Sequence, residues 1–194
     1  MRFTLQIFLV PIAILTSSSG LSARAQVVGT TTYDLRHRSA LTHWPKGFDP
    51  SGAQSFAHNE LQIRKDCPQV WTHLVALPKW PSWFVLTKDV KLLDGATTLV
   101  QGTRFYWQIL SYQQESRIEE FVPNSRLGWF SYTPGQRPLY YHTWLLEQRP
   151  DGCLVTTEEV GLGSDAEESA KAGDTETHRV HDLWLASLKW VSGS

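Results

Sequence analysis

The sequence predicts an α+β domain: a curved antiparallel sheet of about seven strands wrapped around one long C-terminal helix, with short helices after the first strand. Three observations carry this. The middle of the chain, to Val160, is a succession of short alternating segments joined by tight turns, the pattern of an antiparallel meander. Val180, Trp184, Leu188 and Val191, with Leu183 beside them, recur at helical spacing near the C-terminus, which makes a long helix with one wide apolar stripe. Such a stripe must be buried, and the sheet is the only large surface that can bury it.

The elements follow in order. His58, Glu60, Gln62 and Arg64 alternate with Asn59, Leu61, Ile63 and Lys65 in a first strand of mixed exposure. Asp66-Cys67-Pro68 opens a helix, because Asp caps an N-terminus and Pro is tolerated in the first turn. Val70, Trp71, Leu74 and Val75 form its apolar face, and Pro78 and Pro81 stop it, leaving room for a short second helix or turn. Phe105, Trp107 and Ile109 share one face of a strand, and a further strand runs from Glu115 to Val122. Leu127 and Trp129 share a face of the next strand, and Leu139 to Glu147 makes another. Arg149-Pro150-Asp151-Gly152 is a hairpin turn into a last strand, Leu154 to Val160. Asp174-Thr175-Glu176-Thr177 caps the final helix.

The ends divide the chain. Arg2, the apolar run Ile7 to Leu15 and the small-x-small site Ala23-Arg24-Ala25 are the three parts of a secretory signal. The apolar run is far shorter than the roughly 20 residues a membrane span needs, so residues 1–25 are expected to be removed and the mature protein secreted or periplasmic. That segment holds Arg2 and Arg24 and no acid, so the remainder carries 16 basic against 19 acidic residues, a net charge of −3. Neither nucleic-acid binding through a basic field nor attachment to anionic lipid is expected. Residues 26–55, rich in turn-forming Pro, Gly and Asp, read as an extended arm that touches the domain surface through Trp44 and Phe48. The domain proper spans 56–192.

Nine tryptophans are unusual in a chain of 194 residues, and seven lie between Trp71 and Trp184. Trp80, Trp83, Phe105, Trp107, Trp129, Trp144 and Trp184 either wall a cavity for an apolar ligand or pack a solid core. His142 shares a strand face with Trp144, and His178 and His181 are one helical turn apart. They read either as a general acid/base or two ligands of a metal, or as an exposed His178 with a His181 that caps or hydrogen-bonds the sheet. No Asp/Glu/His trio at metal spacing accompanies them, so no cofactor, metal site or catalytic set is assigned. Glu119-Glu120 and Glu158-Glu159 are adjacent on strands, so at most one of each pair faces inward. Solvated or cross-strand ion pairs, with Arg104 or Arg117 for an inward carboxylate, are the expectation. Gly161-Leu162-Gly163 is a poor phosphate loop, and G-x-S-x-G, H-E-x-x-H and C-x-x-C are absent. Cys67 and Cys153, an even pair in an exported chain, are either a disulfide or two separate thiols.

The motifs resemble the SRPBCC superfamily, also called START-like or helix-grip, in its polyketide cyclase/dehydrase-like branch. The resemblance rests on Val70-Trp71-x-x-Leu74, Trp80-Pro81-x-Trp83, Gly102-Thr103-x-Phe105-x-Trp107, Arg126-Leu127-x-Trp129, His142-x-Trp144, Gly152-x-x-Val155-x-x-Glu158-Glu159 and His181-x-x-Trp184-Leu185. It runs from about Phe56 to Val191. It implies a deep hydrophobic pocket, lined here by the seven aromatics above with His142 and His181. It also implies that the first strand lies antiparallel beside the last, which would bring Cys67 to Cys153. The expected function is an exported binding protein for a lipid-like or aromatic small molecule. An enzyme acting on an aromatic or polyketide substrate, with His142 or an inward glutamate as acid/base, and a ligandless interaction domain with a filled core, are the alternatives.

Overall fold

The computed structural model describes residues 31–193; the expected signal segment lies outside them. A short helix α1 (Thr31–His37) is followed by a single 3₁₀ turn, Pro50–Gly52, and strand β1 (Ser55–Ile63). Helix α2 (Cys67–Leu74) and a 3₁₀ segment, Leu77–Ser82, lead to six strands: β2 (Thr87–Leu92), β3 (Arg104–Ile109), β4 (Tyr112–Val122), β5 (Arg126–Tyr132), β6 (Tyr140–Arg149) and β7 (Gly152–Gly161). Helices α3 (Ser164–Lys171) and α4 (Thr175–Val191) complete the chain. The seven strands form one antiparallel sheet in the order β1-β7-β6-β5-β4-β3-β2.

The meander β2 to β7 is consecutive, and β1 joins beside β7 with Ile63 opposite Cys153. That register places the two cysteines at one end of the same strand pair, and they form a disulfide with Cα atoms 4.9 Å apart. The sheet bends where its register shifts, between Lys88 and Lys91 on β2 and between Ile118 and Glu120 on β4. Extra residues of this kind increase strand twist and curvature. The concave face receives α4 through Trp184, Leu185 and Leu188 and α2 through Val70, Trp71 and Leu74, all buried.

The arm is not simply extended. It contains α1 and the 3₁₀ turn, and Phe48 is buried. Phe48 packs with Phe56, Phe130, Tyr141 and Val160 in a second core on the outer face of the sheet, with Trp44 against its edge. The physical reason is that both faces of this sheet are apolar at their centre, and an uncovered outer face would leave those side chains in water. Helix α3 is a further element that the sequence pattern does not reveal, since its small and charged residues carry no apolar period beyond buried Ala166.

Candidate functional site

Strand alternation sends Leu127 and Trp129 of β5, His142 and Trp144 of β6, and Thr157 and Glu159 of β7 to the concave face, side by side in register. Trp184 of α4 closes over them, with ring centroids 6.2 Å from Trp129 and 5.1 Å from Trp144. Trp80 stands 5.0 Å from Trp184 and 5.7 Å from Trp107, and Phe105 stands 5.9 Å from Trp129. Six of the seven expected aromatics therefore meet in one interior, where their rings pack on one another, while Trp83 lies apart, tilted beside Phe84. Trp80, Trp129, Trp144, Trp184 and Phe105 are fully buried; Trp83 is only partly buried at the margin.

The indole N–H groups divide into two kinds. That of Trp80 donates to the Leu74 carbonyl at 2.9 Å, and that of Trp107 donates to Ser116 Oγ at 3.0 Å. Those of Trp129, Trp144 and Trp184 are buried without a hydrogen-bond partner among the described residues, as is that of Trp83. A buried unsatisfied donor costs about 1–3 kcal/mol.

His142 lies between Trp129 and Trp144, stacked on both with interplanar angles of 11° and 16°. Its Nδ1 is 3.1 Å from Glu159 Oε2 and its Nε2 is 2.7 Å from Thr157 Oγ1. The His181 ring centroid is 4.9 Å away. Asn59 Nδ2 donates to Asp182 Oδ1 at 2.8 Å, which turns Asn59 Oδ1 toward α4. That oxygen only accepts, so His181 donates to it from Nδ1 at 3.1 Å and keeps its lone pair on Nε2. His178 reaches the same oxygen from Nδ1 at 3.0 Å, and its Nε2 meets Asp34 Oδ2 at 3.0 Å. His178 is thus buried and linked to α1. One donor atom from each of His142, Glu159 and His181 lies within 4.8 Å of the others.

Burial alone pushes the His142 imidazole down to about 3. Burial, and then neighbouring His142, does the same to His181, also to about 3. Both rings are neutral at physiological pH. Burial raises the Glu159 carboxyl above its ordinary value, with His181 opposing. Even so, the Glu159 side chain keeps 23% of its surface exposed, so the group of three reaches solvent through Glu159.

The other expected carboxylates take different roles. Glu158 is fully buried on the outer face, not solvated, and holds the arm: it accepts from the Ser39 amide at 2.7 Å and from Thr42 Oγ1 at 2.6 Å, with His58 Nδ1 at 2.8 Å. The bulge in β4 leaves Glu119 and Glu120 both on that outer side, where they line an open cleft of about 290 Å³ with His43, Trp44, Pro45, Gln101 and Tyr141. Arg126 Nε donates to Glu120 at 2.7 Å, and Arg117 pairs with Glu119. Arg104 pairs with Asp94 and Glu115 rather than with an inward carboxylate. Glu159 was not singled out from Glu158 by sequence; the β6–β7 register, Glu159 opposite His142, is what selects it. Asn59 carried no signal beyond its place in an alternating strand.

Neither a protein-family model nor a curated protein matches the chain. Solved structures do. A hypothetical protein from Helicobacter pylori aligns with 25% identity and a TM-score of 0.72, covering 79% of this chain and 97% of that one. A protein from Nitrosospira multiformis aligns with 16% identity and a TM-score of 0.57, over 72% of this chain and 97% of that one. The di-domain ARO/CYC protein BexL of the BE-7585A biosynthetic pathway aligns with 15% identity and a TM-score of 0.57, over 74% of this chain and 52% of BexL. The fold is the helix-grip fold. Its likeness to BexL is one of architecture, and sites on a shared architecture differ widely in chemistry.

Proposed function

We propose that this protein is an exported member of the SRPBCC superfamily that binds a small aromatic or lipid-like molecule between the sheet and α4. The observation that carries this reading is the set of three buried, unpartnered indole donors, Trp129, Trp144 and Trp184, in one aromatic interior. Aromatic faces suit an apolar guest, and donors without acceptors suit a guest that brings a carbonyl, hydroxyl or carboxylate. Entry requires the packed rings to part, with Trp80 on its short 3₁₀ segment and Trp184 on α4 as the movable walls. The Cys67–Cys153 bond is consistent with an oxidising compartment outside the cytoplasm.

Native mass spectrometry of protein purified from its own compartment tests the proposal. A single copurified apolar molecule, released by organic solvent, is the expected result. Trp129→Ala should then weaken rebinding. A protein that copurifies with nothing, and whose tryptophan fluorescence is unmoved by hydroxylated or carbonyl-bearing aromatics, would instead fit a ligandless interaction domain.

A second reading is favoured by the convergence of His142, Glu159 and His181. Neutral imidazoles beside a carboxyl of raised pKa can exchange protons with a bound carbonyl compound. In that case the protein is a cyclase/dehydrase-like enzyme acting on an aromatic or polyketide substrate. Turnover of a copurified molecule, abolished in Glu159→Gln with binding retained, distinguishes catalysis from carriage.

A further inference from the structure

We propose that His142, Glu159 and His181 form a binding site for one divalent transition-metal ion, zinc by the character of its donors. This goes beyond the binding of an organic guest and does not depend on it. Two imidazoles and one carboxylate are a donor set that zinc accepts in three-ligand sites with an open fourth position. Bond lengths of about 2.0–2.1 Å place tetrahedral ligands about 3.3 Å from one another. His142 Nδ1 and Glu159 Oε2 are already 3.1 Å apart, and all three donor atoms fall within 4.8 Å. Small side-chain rotations close the set around an ion.

Three features of the surroundings point the same way. The outer nitrogen of each imidazole is held by an oxygen: His142 Nε2 by Thr157 Oγ1 at 2.7 Å and His181 Nδ1 by Asn59 Oδ1 at 3.1 Å. Asn59 Oδ1, which only accepts, fixes the His181 tautomer and leaves the Nε2 lone pair free, while Thr157 Oγ1 can accept from His142 Nε2–H once Nδ1 turns its lone pair to an ion. Asn59 is itself fixed by Asp182 and shared with His178, which Asp34 holds from α1, so the support extends through two more layers. Glu159 also lacks a Lys or Arg partner in the described ion pairs, whereas Glu115, Glu119, Glu120 and Glu147 each have an arginine. A bound cation would supply the missing charge at Glu159, and the partial exposure of that side chain gives the ion a path from solvent.

The test is titration of chelator-stripped, tag-free protein with zinc, read by native mass spectrometry and by competition with a chromophoric chelator. One zinc ion per chain is expected. Glu159→Gln and His181→Gln should each weaken binding at least tenfold, and Asn59→Ala roughly 10–100-fold, the range for outer-shell partners. His43→Gln, on the exposed arm, should change nothing. Folding of each variant is checked by near-ultraviolet circular dichroism. Should the variants unfold, zinc-edge X-ray absorption of the wild-type protein decides the matter, because two imidazole ligands are required. Absence of stoichiometric binding by folded wild-type protein, equal affinity in folded Glu159→Gln, or an all-oxygen zinc shell would overturn the proposal.

Discussion

At the scale of single residues, the buried imidazoles make the sharpest prediction. His142 and His181 sit near 3 in the folded protein, against about 6.5 in the unfolded chain. Between these values the unfolded state binds more protons, so the contribution of these two rings to stability falls as pH falls from about 6.5 toward 3 and is flat above. The slope approaches about 1.4 kcal/mol per pH unit for each ring that stays neutral. Glu159, raised by burial, works in the opposite sense just above the ordinary carboxylate range and blunts the effect there. Denaturant unfolding in chelator at pH 7 and pH 5 should show the loss, and His142→Gln should reduce the slope. Tryptophans at two positions on α4 offer a second contrast. Trp184 is fully packed while Trp190 is 82% exposed. Trp184→Ala should cost about 3–5 kcal/mol, and Trp190→Ala less than about 0.5 kcal/mol. Equal losses in a thermal melt would mean that the α4 stripe is not where the structure has it.

At the scale of elements, the arm and the outer face of the sheet behave as one unit. Glu158 gathers Ser39, Thr42 and His58, and Phe48 and Trp44 lie over Tyr141. Burial lowers the His58 pKa, but the bond and charge of Glu158, with Glu60 and Asp34, outweigh it and raise the value overall. A raised imidazole stabilises the fold below its unfolded value and loses that contribution as pH rises through its folded one. The arm should therefore be cut faster by a protease at pH 9 than at pH 6, after correction for the protease's own pH profile. In His58→Gln that difference should vanish. The outer core also explains Gly128. A Cβ there would run into the Tyr141 ring and hydroxyl, so Gly128→Ala should destabilise by about 1–3 kcal/mol through overpacking. A neutral result in urea unfolding would show that the Tyr141 ring has room to move.

At the scale of the whole molecule, the disulfide ties the first strand–helix junction to the last hairpin. It spans a sequence separation of 86 residues, so the chain-entropy account assigns it about 4–5 kcal/mol. Reduction should lower the denaturant midpoint correspondingly while the native near-ultraviolet spectrum persists at low denaturant. An unchanged midpoint would mean that the unfolded chain is already constrained in this region. The bond, the β1–β7 pairing and the arm around the β1 edge together close the side of the sheet that an open meander would leave exposed.

Sequence by itself determined the elements whose signals are local. The α4 stripe from Val180 to Val191, the helix opened by Asp66-Cys67-Pro68 and the Asp151-Gly152 hairpin all stand where periodicity and turn chemistry put them, although the Asp66 side chain makes no capping hydrogen bond. Resemblance added the β1–β7 adjacency on which the Cys67–Cys153 pairing depends. Tertiary structure alone decided the rest. Helix α1 and buried Phe48 follow from an outer sheet face that needed covering, a demand invisible in the arm's own residues. Both Glu119 and Glu120 face outward because a bulge breaks the alternation that would have split them. His142, Glu159 and His181 come from two strands and a helix, and only strand register and the docking of α4 bring them together. Local spacing encodes a face; which faces meet is set by the burial of all of them at once.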